Sequence, residues 1–166
     1  MQRAIRREPV QILTHALQIA GELEVVGPPL IFLNEDDRDD LVMRDVRVAP
    51  LMPSGSFKSL SRPQITIRKK DLLFVYFTDP ETRAKVNLLA HEEDMVVYTP
   101  HAILRGSFHL PVEIIPTSFL STIENDLLPF SKAQLFWLRP LPMSFPDRCD
   151  LLFIGEQHIQ MYHSGT

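Results

Sequence analysis

Thr14-His15-Ala16-Leu17-Gln18-Ile19-Ala20-Gly21 returns later in the chain as Thr99-Pro100-His101-Ala102-Ile103-Leu104-Arg105-Gly106. In both, Thr and Gly stand seven apart, with an apolar residue two before the Gly (Ile19, Leu104) and two after it (Leu23, Phe108). The secondary structure of this stretch decides the fold. Taken alone, residues 9–23 fit an amphipathic helix, with Pro9 in the first turn and then Val10, Leu13, Leu17 and Ala20. The second copy argues against it. Pro100 sits in its interior, where it would cost a helix about 3 kcal/mol. The β-branched and aromatic run Met95-Val96-Val97-Tyr98 leads into it. Both copies therefore read as bent or bulged strands, with Gly21 and Gly106 where the chain bends or another backbone passes close.

Working outward, the correspondence holds over most of the chain. An offset of 85 aligns Thr14 with Thr99 and Gly21 with Gly106. It then becomes 87 and aligns Pro29 with Pro116, Phe32 with Phe119, Leu33 with Leu120, Leu41 with Leu128, Pro53 with Pro140 and Ile67 with Ile154. Apolar positions coincide in the same register: Met43 with Phe130, Val46 with Ala133, Val48 with Leu135, Ile65 with Leu152, Leu72 with Ile159, Phe74 with Met161. A hairpin loop between Gly21 and Pro29 is expected to absorb the difference. Such a register predicts one unit used twice.

In chain order, unit one (1–77) is expected to hold strands at 10–18, 19–26, 40–48, 65–67 and 72–77, with a helical turn over 30–38 and a polar loop over 52–63 containing Ser54-Gly55-Ser56. Residues 78–94 read as a linker or short helix starting at Thr78-Asp79-Pro80-Glu81. Unit two (95–166) repeats the order: strands at 95–104, 105–110, 127–136, 150–154 and 158–163. A helical turn at 117–124 has Thr117 as its expected N-cap. Five short strands per unit predict an all-β protein with short helical turns, built from two small, strongly bent barrels side by side.

The Gly in the second strand, the middle strand Leu41-Val42-Met43-Arg44-Asp45-Val46 and the closing Ile67-Arg68-Lys69-Lys70-Asp71-Leu72 resemble the Sm-like barrel. The whole arrangement is also similar to uncharacterised bacterial proteins made of tandem small barrels. The resemblance implies two tandem Sm-like five-stranded barrels related by internal duplication, and RNA binding where an Ile-Arg-Gly turn meets a loop bearing Asp and Asn. Only Arg68 matches the Arg of that turn. Lys69 replaces its Gly, Gly155 occupies the Arg position in unit two, and the loop before the middle strand carries Glu35, Asp36, Asp37, Asp39 and Asp40, which face phosphate badly.

Composition narrows the function further. A net charge of −4 over 166 residues gives no overall footprint for nucleic acid. No apolar run approaches the ~18 residues of a membrane helix, and the N-terminus has no apolar core of a signal peptide. A lone cysteine, Cys149, rules out an internal disulfide and fits a reducing, cytoplasmic setting. The acidic run 35–40 lacks the Gly and spaced Glu of a calcium loop. His15, His91, His101, His109, His158 and His163 share no ligand spacing and read as scattered polar surface, with His91-Glu92-Glu93-Asp94 in a solvated linker. No nucleophile elbow or Gly-rich phosphate loop is present. Neither a metal, a cofactor nor an enzymatic activity is expected.

Two candidate sites remain. Arg68, Lys69 and Lys70, with Lys58, Arg62 and the N-terminal Arg3, Arg6 and Arg7, are candidates for a basic patch; Phe57 and Tyr76 would offer stacking surfaces for single-stranded nucleic acid. The apolar segment 135–143 exceeds what strand alternation needs, and Phe136, Trp137, Leu138 and Leu141 are candidates for a partner interface. The leading expectation is a non-catalytic interaction or scaffold module that associates with itself or another protein. Nucleic-acid binding through the basic turn is the alternative.

Overall fold

The computed structural model describes residues 3–52, 55–111, 118–123 and 126–165. Pro53, Ser54, Pro116, the expected N-cap Thr117, and Glu124 and Asn125 lie outside the described residues. The chain order is β1 (Ile5–Leu13), β2 (Leu17–Val26), α1 (Pro29–Leu33), β3 (Asp40–Pro50), β4 (Leu60–Arg68), a 3-10 turn at Lys69–Asp71, β5 (Phe74–Phe77) and α2 (Pro80–Ala84). Then come β6 (His91–Tyr98), β7 (Ala102–Leu110), α3 (Phe119–Thr122), β8 (Leu127–Trp137), β9 (Arg148–Gly155), a 3-10 turn at Glu156–His158 and β10 (Met161–Ser164). The ten strands form one sheet in the order β10-β6-β7-β8-β9-β5-β1-β2-β3-β4. Each half therefore lays its fifth strand against its first, and the halves meet where β5 pairs with β9.

The opening stretch is a hairpin corner rather than strand throughout. Thr14 ends β1's turn: its N–H donates to Leu17 O at 2.9 Å, and its hydroxyl accepts from the N–H groups of Ala16 and Leu17. Thr99 makes the same turn, with its N–H on Ala102 O at 3.1 Å and its hydroxyl accepting from Ala102 N–H. A hydroxyl that satisfies turn donors is the physical reason for Thr at both corners. The strand expected over 10–18 is accordingly split: β1 starts at Ile5 and stops at Leu13, and β2 starts at Leu17. β2 and β7 end where expected, at Val26 and Leu110, so the change of offset falls after those ends; β2 then leads into α1 rather than into a hairpin.

Gly21 and Gly106 mark close backbone approach. A Cβ on Gly21 would stand 2.9 Å from Arg44 O, and one on Gly106 would stand 2.7 Å from Ser131 O and from the Phe130 ring. The ladder slips at both, between Ala20 and Glu22 and between Arg105 and Ser107. The strands opposite carry left-handed residues at corresponding places, Asp45 (φ 50) and Lys132 (φ 53). These are bulges that bend the sheet. Further bonds recur at corresponding positions: Lys69 N–H to Asp39 O and Glu156 N–H to Asp126 O, Leu51 N–H to Ala16 O and Leu138 N–H to His101 O.

The expected 78–94 linker is mostly structured. Asp79 caps α2 by accepting from Glu81 N–H at 3.0 Å. His91-Glu92-Glu93-Asp94 belongs to β6, paired with Leu110 to Ser107. Two apolar clusters lie beneath the sheet, and neither respects the midpoint of the chain. One joins Val10, Leu23, Met43 and Phe77 to Leu127, Leu151 and Phe153. The other joins Phe108, Phe130 and Leu152 to Leu13, Leu51 and Phe74. Among the described residues no helix is long and apolar enough to cross a membrane.

Candidate functional site

The basic turn lies beside the junction of the two halves and is largely neutralised there. Lys69 is buried, at 7% exposure. Its Nζ donates to Glu35 O at 2.8 Å and to the Asp126 carboxylate at 2.9 Å. Arg68 pairs with Asp40 at 2.7 Å, both exposed. The carbonyl of Lys70 accepts from the Gln157 side chain and from His158 Nε2 at 2.8 Å. A cleft of about 200 Å³ is lined by Arg68, Lys69 and Lys70, and equally by Asp39, Asp126 and Glu156. Three cations against three carboxylates leave no excess positive charge to draw a phosphate.

The other basic candidates do not converge on this cleft. Arg62 lies six residues back along β4, about 20 Å at strand rise, and donates to Ser61 O. Lys58 is exposed before β4 begins. Arg6 donates to Gly27 O at 2.8 Å, and Arg7 lies near Glu22 and Asp45. Phe57 is exposed, whereas Tyr76 is tucked against Phe145 and under the Arg83 guanidinium. Burial pushes the Tyr76 hydroxyl pKa up, with Arg83 opposing.

The apolar segment divides in two. Trp137 and Leu141 turn inward; the Trp137 ring meets Phe74 edge-on at 6.1 Å and Phe145 at 5.3 Å, and its indole N–H donates to Asp147. Phe136 and Leu138 point out, 50% and 57% exposed.

The richest constellation is the β5–β9 seam. Phe74 pairs with Ile154 and Val75 with Phe153. Gly155 N–H donates to Leu73 O at 2.8 Å. A Cβ on Gly155 would stand 2.1 Å from Leu72 O, so only glycine permits this approach. Phe77 and Phe153 meet edge-to-face at 5.7 Å, and the guanidinium of Arg83 lies 2.6 Å from Asp150. Two amides extend the seam by imitating backbone. Gln18 donates to Met143 O and accepts from Met143 N–H, both at 3.0 Å. Asn34 donates to Leu127 O and accepts from Leu127 N–H. Sequence reasoning missed both; the one signal was an amide, Gln18, between the apolar Leu17 and Ile19.

Three sequence candidates for chemistry have structural roles here. His101, expected on the surface, is 1% exposed, and its Nε2 reaches Thr14 O (3.1 Å) and His15 O (2.7 Å) across the halves. Cys149 is buried, which with neighbouring Asp150 pushes its thiol up to about 12. Glu35 of the acidic loop is engaged by Arg38 at 3.0 Å. Among the described residues no group of three or more His, Cys, Asp or Glu is arranged to hold a metal.

No family model, no curated protein and no solved structure matches this chain.

Proposed function

We propose that the chain is a non-catalytic scaffold module, two tandem Sm-like barrels related by internal duplication, that works by self-association. The observation carrying this reading is the seam itself. The two halves repeat one hydrogen-bond pattern and associate through an edge-to-edge strand pairing, the mode by which β modules commonly recruit another chain. Exposed apolar side chains at Phe136, Leu138 and Met161 support a surface meant for protein contact. Among the described residues, Gln18, Asn34 and His101 spend their side-chain hydrogen bonds on backbone across the halves. Single-stranded nucleic acid binding through Arg68, Lys69 and Lys70 is the weaker reading, because Asp40, Asp126 and Glu156 offset these charges.

Size-exclusion chromatography with light scattering over 10-fold to 1,000-fold dilution tests the leading reading, with a mass above one chain expected at the high end. A strict monomer throughout sinks it. Oligonucleotide binding that falls steeply with salt would revive the alternative.

A further inference from the structure

Arg3 and Arg6, two of the cations that the sequence offers for a basic patch, meet at the turn joining β2 to α1. Gly27 in that turn has φ 75, and a Cβ on it would stand 3.1 Å from Arg3 Nη1. Arg6 Nη2 donates to Gly27 O at 2.8 Å. Beside the turn opens a cavity of about 380 Å³, lined by Arg6, Glu8, Pro28, Pro29, Thr82 and Lys85. The start of β1, the turn and α2 with its C-cap Lys85 each supply one wall. We propose that this cavity binds a small-molecule phosphate monoester. The site goes beyond the scaffold reading and does not depend on it.

Charge carries the argument. Among the described residues of the lining, Glu8 is the one carboxylate, and it is already engaged. One of its oxygens accepts from Arg6 Nε at 3.3 Å and the other from the Thr82 hydroxyl at 2.8 Å. Among the described residues neither Arg3 nor Lys85 has a carboxylate partner. Three cations against one carboxylate leave two positive charges in excess, where the cleft at the basic turn has none. Two guanidinium groups gathered on one peptide repel each other until an anion offsets them. A phosphate monoester carries about −1.5 to −2 charges at pH 7, which matches that excess; a phosphodiester or a carboxylate carries one. Guanidinium forks suit phosphate oxygens, and Pro28 and Pro29 give the ester group an apolar wall.

The repeat separates what the unit needs from what this place adds. At the offset of 85, Arg6 and Glu8 correspond to His91 and Glu93, which pair at 2.8 Å. That pair therefore belongs to the shared unit. Arg3 corresponds to Leu88, which packs against the first apolar cluster, and Thr82 and Lys85 come from the connector. The cations in excess are not required by the repeated architecture.

Titration calorimetry of the full chain with phenyl phosphate tests this. Saturable binding below about 10 mM is expected, the range a ligand of this size reaches. The monoanions methyl phenyl phosphate and benzoate should bind at least about fivefold more weakly. Lys85→Met and Arg3→Gln remove exposed charges. Each should weaken phenyl phosphate about fivefold to tenfold while the circular dichroism spectrum stays that of wild type. Lys58→Met, exposed and outside the cavity, should bind as wild type does. Absence of saturable binding overturns the proposal. So does equal binding of the diester or of benzoate, wild-type affinity in both cavity variants, or an equal loss in Lys58→Met. A strictly monomeric chain that binds phenyl phosphate as expected ends the self-association reading and leaves this site standing.

Discussion

Cys149 and His101 are the residues whose chemistry the fold suppresses. With its thiol pushed up to about 12 by burial, Cys149 holds almost no thiolate near neutrality. It should react with a disulfide reagent at neutral pH only after denaturation; fast labelling of the native protein contradicts this. His101 Nε2 faces two carbonyls, while its buried Nδ1 has no partner. The ring is therefore neutral, and burial lowers its pKa below the ordinary 6.5. The native state disfavours the protonated form, so its contribution is complete above pH 6.5 and is lost as pH falls toward the lowered native value. Urea midpoints at pH 7.5 and 5.5 should differ more for wild type than for His101→Gln. An equal fall in both assigns the pH dependence elsewhere. The histidine's place was not legible in the sequence, where a histidine after Pro100 reads as surface; its burial depends on β1's corner, 86 residues away.

At the level of elements, the repeated stretch foretold strand and close approach but misplaced the corner. Proline and β-branching spoke against helix, and the two glycines were rightly suspected of making room. The turn was missed because Thr-His-Ala-Leu lacks Gly, Asn or Asp; the Thr hydroxyl alone organises it. Gly106→Ala should destabilise the fold by about 1–3 kcal/mol in chemical denaturation, since a methyl must displace Ser131 O or the Phe130 ring. A neutral result would mean β8 retreats freely. Gly155→Ala meets Leu72 O at the shorter distance of 2.1 Å and should cost more. The basic turn was visible as three consecutive cations. Its carboxylate partner Asp126 was not, because it arrives from the other half.

The molecule as a whole has cores that borrow across the seam, with Phe153 packed among first-half residues and Phe74 among second-half ones. Unfolding is therefore expected as one transition. The single tryptophan, Trp137, touches Phe74 and reports on the junction. Its fluorescence and far-ultraviolet circular dichroism should give coincident urea curves, and separated midpoints would mean the halves melt independently. Phe153→Ala should lower stability by about 3–5 kcal/mol while keeping the curves coincident.

The connector carrying α2 has a kinetic and thermodynamic consequence beyond geometry. By tethering β5 to the half that supplies β9, it fixes the local concentration of one edge around the other. The internal junction is thereby insensitive to dilution. Any junction between chains depends on how much protein the cell makes.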